Sequence, residues 1–173
     1  QIGYVAQKAH MFKGSIRSNI CFGKPEASDE EIHHASSVAQ ASDFISKREN
    51  GYLDEIAEDG TNISGGQKQR LSIARVILKK PSLYIYDDSF SALDFKTDAT
   101  LRKALKPEVK DAIFFVVAQR ISTIMDSDMI IVLDEGQIIG LGTHSQLLKE
   151  CSVYQEIAHS QLTQKELDDY ERN

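Results

Sequence analysis

Two stretches of this sequence carry residue types that could do chemistry on a phosphate. The first is Asn62-Ile63-Ser64-Gly65-Gly66-Gln67-Lys68-Gln69-Arg70, where a hydroxyl and two glycines run straight into an amphipathic helix. Ser64 can cap that helix, while Gly65 and Gly66 let a ligand approach the backbone with no Cβ in the way. The unpaired N–H groups of the first turn then point outward at the positive end of the helix dipole. The second stretch is Asp87-Asp88, two carboxylates that close the apolar run Leu83-Tyr84-Ile85-Tyr86. At the C-terminal end of a buried parallel strand they would lie on the edge where open α/β sheets place their ligands. Taken singly each has a plainer reading: Ser-Gly-Gly is common in linkers, and Asp87 could cap the next helix or join a surface ion pair.

The surrounding pattern supplies elements that would hold these residues. Leu71, Ala74, Ile77 and Leu78 fall on one face of a helix over residues 67–79, Lys68, Arg75 and Lys79 can stay solvated, and Pro81 ends it. Upstream, Ser28-Asp29-Glu30-Glu31 is a capping box opening a helix with Ile32, Ala35 and Ala39 on one side. Residues 42–48 give a second short helix through Phe44 and Ile45, and Asn50-Gly51 turns the chain, so residues 8–66 read as helical, without strands. After a loop over residues 89–94 and a further helix, Ala112-Ile113-Phe114-Phe115-Val116-Val117-Ala118 is an apolar run of strand length. Met129-Ile130-Ile131-Val132-Leu133 and Gln137-Ile138-Ile139 flank Asp134-Glu135-Gly136 as a hairpin. Thr143 can cap a helix through Leu147 and Leu148, residues 153–162 offer another, and residues 163–173 are a polar tail.

In this order the motifs resemble the nucleotide-binding domain of exporter-type ATP-binding-cassette (ABC) transporters, over nearly the whole chain. NISGGQKQR is similar to the ABC signature, LYIYDD to the Walker B strand, and Ser91-Ala92-Leu93-Asp94 to the D-loop. GYVAQ resembles the Q-loop, MFKGSIRSNI the exporter-type sequence that follows it, and IAEDG the loop that touches the coupling helices. The resemblance implies an α/β, P-loop-NTPase-like fold: a mainly parallel sheet with an inserted helical subdomain carrying the signature. Residues 1–7 would be the Q-loop strand, 8–66 the helical subdomain and 67–162 the rest of the core.

The same resemblance implies ATP and Mg2+ as ligands. Ser64, Gly65, Gly66 and Gln67 would contact nucleotide, as would Gln7 and Asp94; Asp87 and Gln7 would serve the metal; Asp88 and Gln119 would stand at the catalytic positions. The expected partner is a second nucleotide-binding domain docked head to tail, so that each ATP lies between the Walker motifs of one domain and the signature of the other. Transmembrane domains would precede this segment in the same polypeptide and place it on the cytoplasmic face of the cell membrane.

Three departures from the family pattern qualify that expectation. The phosphate loop GxxxxGK[ST] does not occur in these 173 residues; Gly60 and Gly65 have the glycine spacing, but Gly66 stands where the lysine belongs. The chain therefore reads as the C-terminal two-thirds or so of one domain, inactive alone, with an incomplete sheet and an exposed apolar edge. Asp88 occupies the place of a family glutamate that orients the attacking water, and its carboxylate reaches about 1.5 Å less far. Gln119 occupies the place of a family histidine and can donate a hydrogen bond but not carry imidazolium charge. Both changes resemble the degenerate half of a heterodimeric exporter, whose signature completes the competent site of its partner.

Composition fits and excludes some alternatives. A net charge of −6 argues against a general nucleic-acid partner. Cys21 and Cys151 lie far apart with no metal spacing, and the adjacent His33 and His34 diverge on a helix. No apolar run approaches the roughly 18 residues a membrane span needs. A soluble chromosome-maintenance ATPase would bring long coiled-coil arms, and no sustained heptads are present. A regulatory module that sandwiches nucleotide without hydrolysing it stays open as the competing reading.

Overall fold

The computed structural model describes residues 2–163, which fall into two units dividing between Val117 and Ala118. In the first unit the chain runs through β1 (Ile2–Val5), β2 (Gly14–Ser15), the helices α1 (Ile16–Ile20), α2 (Asp29–Val38) and α3 (Ser42–Ser46), and β3 (Glu55–Ile56). The long helix α4 (Gly65–Lys79) follows, then β4 (Leu83–Asp87), α5 (Phe95–Glu108) and β5 (Ile113–Val117). β1, β4 and β5 form a parallel sheet in that order, with Tyr4 opposite Ile85 and Ile85 opposite Phe115. Parallel neighbours need long crossovers, and the helices between β1 and β4 and between β4 and β5 supply them.

One face of this sheet is closed. Val5, Tyr84 and Tyr86 are buried beside Leu71, Ile73, Ala74, Ile77, Leu101 and Leu105, with Phe114 and Val116 packed against the same cluster. The alternate residues Ile2, Tyr4, Ile113, Phe115 and Val117 project to the other face and stay exposed.

Local chemistry explains the element ends. Ser28 and Glu31 form the expected capping box at α2. α4 begins at Gly65, two residues before the sequence-based start, because Ser64 and Gln67 make a second capping box. It ends where Lys80 turns left-handed at φ 48°, just before Pro81.

Two expectations need correction. Residues 8–66 are not free of strands: β2 pairs antiparallel with β3 through Gly14 and Ile56 and through Ser15 and Glu55. Partners so remote in sequence leave no local periodicity to read, and the anchor is Ile56, 1% exposed. Arg75 is not solvated: its Nε donates to the Asn19 carbonyl at 2.8 Å, and its guanidinium lies 5.4 Å and 5.7 Å from the rings of Phe12 and Phe22. Burial pulls its pKa below the ordinary arginine value.

The second unit holds α6 (Ile121–Ile124), the hairpin β6 (Ile130–Asp134) and β7 (Gln137–Gly142), α7 (His144–Glu150) and α8 (Ser152–Gln161). Glu135 at φ 46° and Gly136 at φ 78° make the tight turn of the hairpin. Thr143 and Gln146 form a third capping box, at α7. Ile121, Ile130, Val132, Leu147, Cys151, Tyr154 and Ala158 form this unit's own core. The polar tail expected over 163–173 lies outside the described residues from position 164 on.

Candidate phosphate and metal site

Ser64 holds extended backbone at φ −70° and ψ 159° and caps α4. Its Oγ accepts from the Gln67 N–H at 3.2 Å, and Gln67 Oε1 returns to accept from the Ser64 N–H at 3.0 Å. The two glycines between them differ. A Cβ on Gly65 would meet nothing within 4 Å, whereas one on Gly66 would lie 3.3 Å from the Ala92 carbonyl oxygen and 3.7 Å from Leu93 Cδ2. One glycine therefore faces open space while the other lets the helix start press against the loop over residues 89–94. Gln67 uses its amide oxygen in the cap, which leaves the amide nitrogen as its outward donor.

Asp87 ends β4 and Asp88 follows it, both half-buried. The Tyr4 hydroxyl donates to Asp87 Oδ2 at 2.9 Å, and Gln7 Nε2 donates to Asp88 Oδ2 at 3.1 Å. Gln7, Asp87 and Asp88 thus meet at one sheet edge, the C-terminal ends of β1 and β4. The hydrogen bond to Asp87 raises the Tyr4 pKa above the ordinary phenol value and keeps it a proton donor. Asp88 is left-handed at φ 44°, a region that Asp tolerates better than most residues. Its N–H donates to the Val117 carbonyl at 2.8 Å, and the next residue, Ser89, donates from Oγ to the Val5 carbonyl at 2.9 Å. The turn that carries Asp88 is thereby tied to both neighbouring strands.

The remaining expected site residues are placed otherwise. Asp94 is exposed and caps α5, accepting from the Thr97 N–H at 2.9 Å and the Thr97 hydroxyl at 2.7 Å. These bonds hold its carboxyl below the usual carboxylate range. Gln119 is exposed at the start of the second unit, where its carbonyl accepts from Gln161 Nε2 at 2.9 Å.

The donors gathered at the β4 edge are oxygens, two carboxylates and one amide, the set that suits Mg2+. Among the described residues no group of three or more His, Cys, Asp and Glu comes together to hold a metal. Such a cation would complete its shell with water and a ligand's phosphates, its usual habit.

Over residues 1–91 the sequence matches the family described as ABC transporter. The chain belongs to the ABC transporter family. It is 44% identical over 161 residues to the uncharacterized ABC transporter ATP-binding protein YfiB of Bacillus subtilis, covering 93% of this chain and 28% of YfiB. It is 45% identical over 157 residues to YgaD of the same organism, named as a candidate multidrug export ATP-binding/permease protein, covering 91% of this chain and 27% of YgaD. The structure of a bacterial Atm1-family ABC exporter with ATP bound superposes at a TM-score of 0.89 with 36% identity, covering 92% of this chain and 28% of the exporter. The α/β fold with its parallel sheet is that of the ATPase domain of an ABC exporter. This ABC chain spans a little over a quarter of the length of the relatives it matches.

Sequence reasoning missed several residues of this ABC chain that brace the site. Gln69 is 1% exposed and donates from Nε2 to the Ala6 carbonyl at 3.1 Å. Arg70 donates to the Gly66 carbonyl at 3.3 Å and the Gln40 carbonyl at 2.7 Å, and lies 5.0 Å over the Phe44 ring. Burial lowers its pKa against the opposing pull of Asp94 and Asp43. The signal for Gln69 was present: Ser72, Ile73 and Val76 continue its row on α4, and all are buried. The buried arc of α4 is wider than the stripe of Leu71, Ala74, Ile77 and Leu78.

Proposed function

We propose that this chain is the ATP-binding and ATP-hydrolysing segment of an ABC exporter, with the 64–67 turn completing a nucleotide site on a second, head-to-tail domain. The observation that carries this reading is Gly65, which faces open space at a capped helix start whose neighbour Gly66 is pressed against Ala92. Backbone N–H groups and the Ser64 hydroxyl proton are offered there to an anion from outside the chain. Gly65→Ala tests it. Replacing glycine by alanine in the first turn of a helix stabilises by roughly 0.5–1 kcal/mol, yet the added methyl group would stand where a phosphate approaches. Higher melting temperature with lost ATP turnover at the partner's site is the expected pair of results; unchanged turnover overturns the reading.

At its own site Asp87 and Gln7 would hold Mg2+ through their oxygens, and Asp88 would orient the attacking water. Bound Mg2+ would neutralise charge on the β- and γ-phosphates. Asp88 carries a shorter arm than the family glutamate and is held to Gln7 at 3.1 Å, which supports slow turnover here and a heterodimer whose partner does most of the hydrolysis. Gln119 takes the place of the family histidine in the order of motifs. Asp88→Glu combined with Gln119→His is expected to raise single-site turnover by about a hundredfold, measured with the partner's catalytic carboxylate substituted. No gain would favour the regulatory, non-hydrolysing module instead.

No helix among the described residues is long and apolar enough to cross a membrane. The transmembrane domains are assigned to sequence N-terminal to this segment, as is the phosphate loop, with this part on the cytoplasmic side of the membrane. Residues 8–66 act as the helical subdomain and 67–162 as the remainder of the core.

A further inference from the structure

Residues 6–10 leave β1 and run past α4 without forming helix or strand, and Gln7 sits in the middle of them. α4 holds this segment on both sides of Gln7. Gln69 Nε2 donates to the Ala6 carbonyl at 3.1 Å, and Arg75 reaches the His10 carbonyl at 3.4 Å. The Ala6 carbonyl belongs to the same rigid peptide plane as the Gln7 N–H, so fixing one fixes the other. Gln7 in turn places its amide 3.1 Å from Asp88 Oδ2.

Gln69 itself is 1% exposed, a buried polar side chain on the helix whose first turn is capped by Ser64 and Gln67. We propose that Gln69 is a positioning residue that couples the 64–67 turn of α4 to the Gln7–Asp88 pair through the Ala6 peptide. A shift of α4 when its N-terminus meets a partner's nucleotide would thus be felt at the metal side of this chain's own site. The inference rests on the function proposed above and deepens it. It concerns what lies between the two half-sites of one subunit.

Gln69→Met keeps length and lack of branching but removes the donor to the part-buried Ala6 carbonyl. The experiment uses the full-length exporter and titrates Mg2+ against retention of a fluorescent ATP analogue at the Asp88 site, with the partner's phosphate-loop lysine substituted. Four proteins are compared: unsubstituted, Gln69→Met, Gln7→Ala and the double variant. Gln69→Met is expected to raise the half-saturating Mg2+ about tenfold, as removal of an outer-shell partner does. In the Gln7→Ala background the same substitution adds nothing, because its route is already cut, while the drop in melting temperature is equal in both backgrounds. A Mg2+ shift that persists without Gln7, or a lowered melting temperature with no Mg2+ shift, overturns the proposal and leaves Gln69 as packing alone. Retention that does not depend on Mg2+ in the unsubstituted exporter overturns the functional reading as well. If Gln69→Met does not fold, Gln69→Asn repeats the titration with the amide withdrawn by about 1.5 Å.

Discussion

The two faces of the β1–β4–β5 sheet are built from equally apolar residues and have opposite fates. On the inner face Val5, Tyr84 and Tyr86 are at most 2% exposed beneath α4 and α5. On the outer face Ile2, Tyr4, Ile113, Phe115 and Val117 are 46–69% exposed. Parallel strands with apolar residues on both sides normally have both faces covered. The inner face therefore carries the packing of the first unit, and the outer face is the one the proposed metal site borders. Tyr4 and Asp87 both project on the outer side, where a hydrogen bond joins them at 2.9 Å. The buried residue Gln69 reaches the same edge from beneath, through Ala6.

Leu71 carries the largest expected effect on the inner face. This side chain is fully buried in α4, and Leu71→Ala is expected to destabilise by about 2–5 kcal/mol, read as a large drop in melting temperature. A loss below about 1 kcal/mol would mean that the helix layer is not the main support of the sheet. The cap comes next. Ser64→Ala removes the acceptor of the Gln67 N–H and should cost about 1 kcal/mol in chemical denaturation.

How far these faces were legible in the sequence follows from what each depends on. The capping box at Ser28 and the caps at Ser64 and Thr143 were visible because they are local in sequence, although the box partners Gln67 and Gln146 emerge only in the structure. β4 was visible as an apolar run bounded by Pro81 and the two aspartates. The β2–β3 pairing, the role of Gln69 and the burial of Arg75 were not visible, since each joins segments whose proximity is set by the tertiary fold. Arg75 is instructive: a charged residue on a helix is usually solvated, but here carbonyls from Asn19 and His10 and two phenylalanine rings take the place of water. Nor could apolar alternation alone say which face of the sheet would be closed, because both faces are mostly apolar.

Tyr86 refines the inner face. It is fully buried between Phe90 and Phe114, and among the described residues its hydroxyl has no hydrogen-bond partner. Burial pushes its pKa up, so it stays neutral at any ordinary pH. A buried hydroxyl without a partner destabilises, and Tyr86→Phe is expected to be neutral or to stabilise by up to about 1 kcal/mol. A loss of stability in thermal melts would show that the hydroxyl is satisfied in solution, by water or by a shift of the strand.

The smallest effect sharpens the contrast most. Phe115 lies on the outer face, 48% exposed, one residue from the half-buried Phe114 and Val116 of the same strand. In the 173-residue chain Phe115→Thr should change stability by no more than about 0.5 kcal/mol, because threonine suits a strand and little packing is lost. In the longer exporter proposed above, the same substitution should destabilise by several times as much, since an aromatic side chain that becomes covered loses far more on truncation. The difference between the two measurements isolates what the rest of the polypeptide adds to this face. Equal, small effects in both would make the outer face a true surface, and Tyr4 and Asp87 would then act at an open edge and not at the floor of a closed nucleotide site.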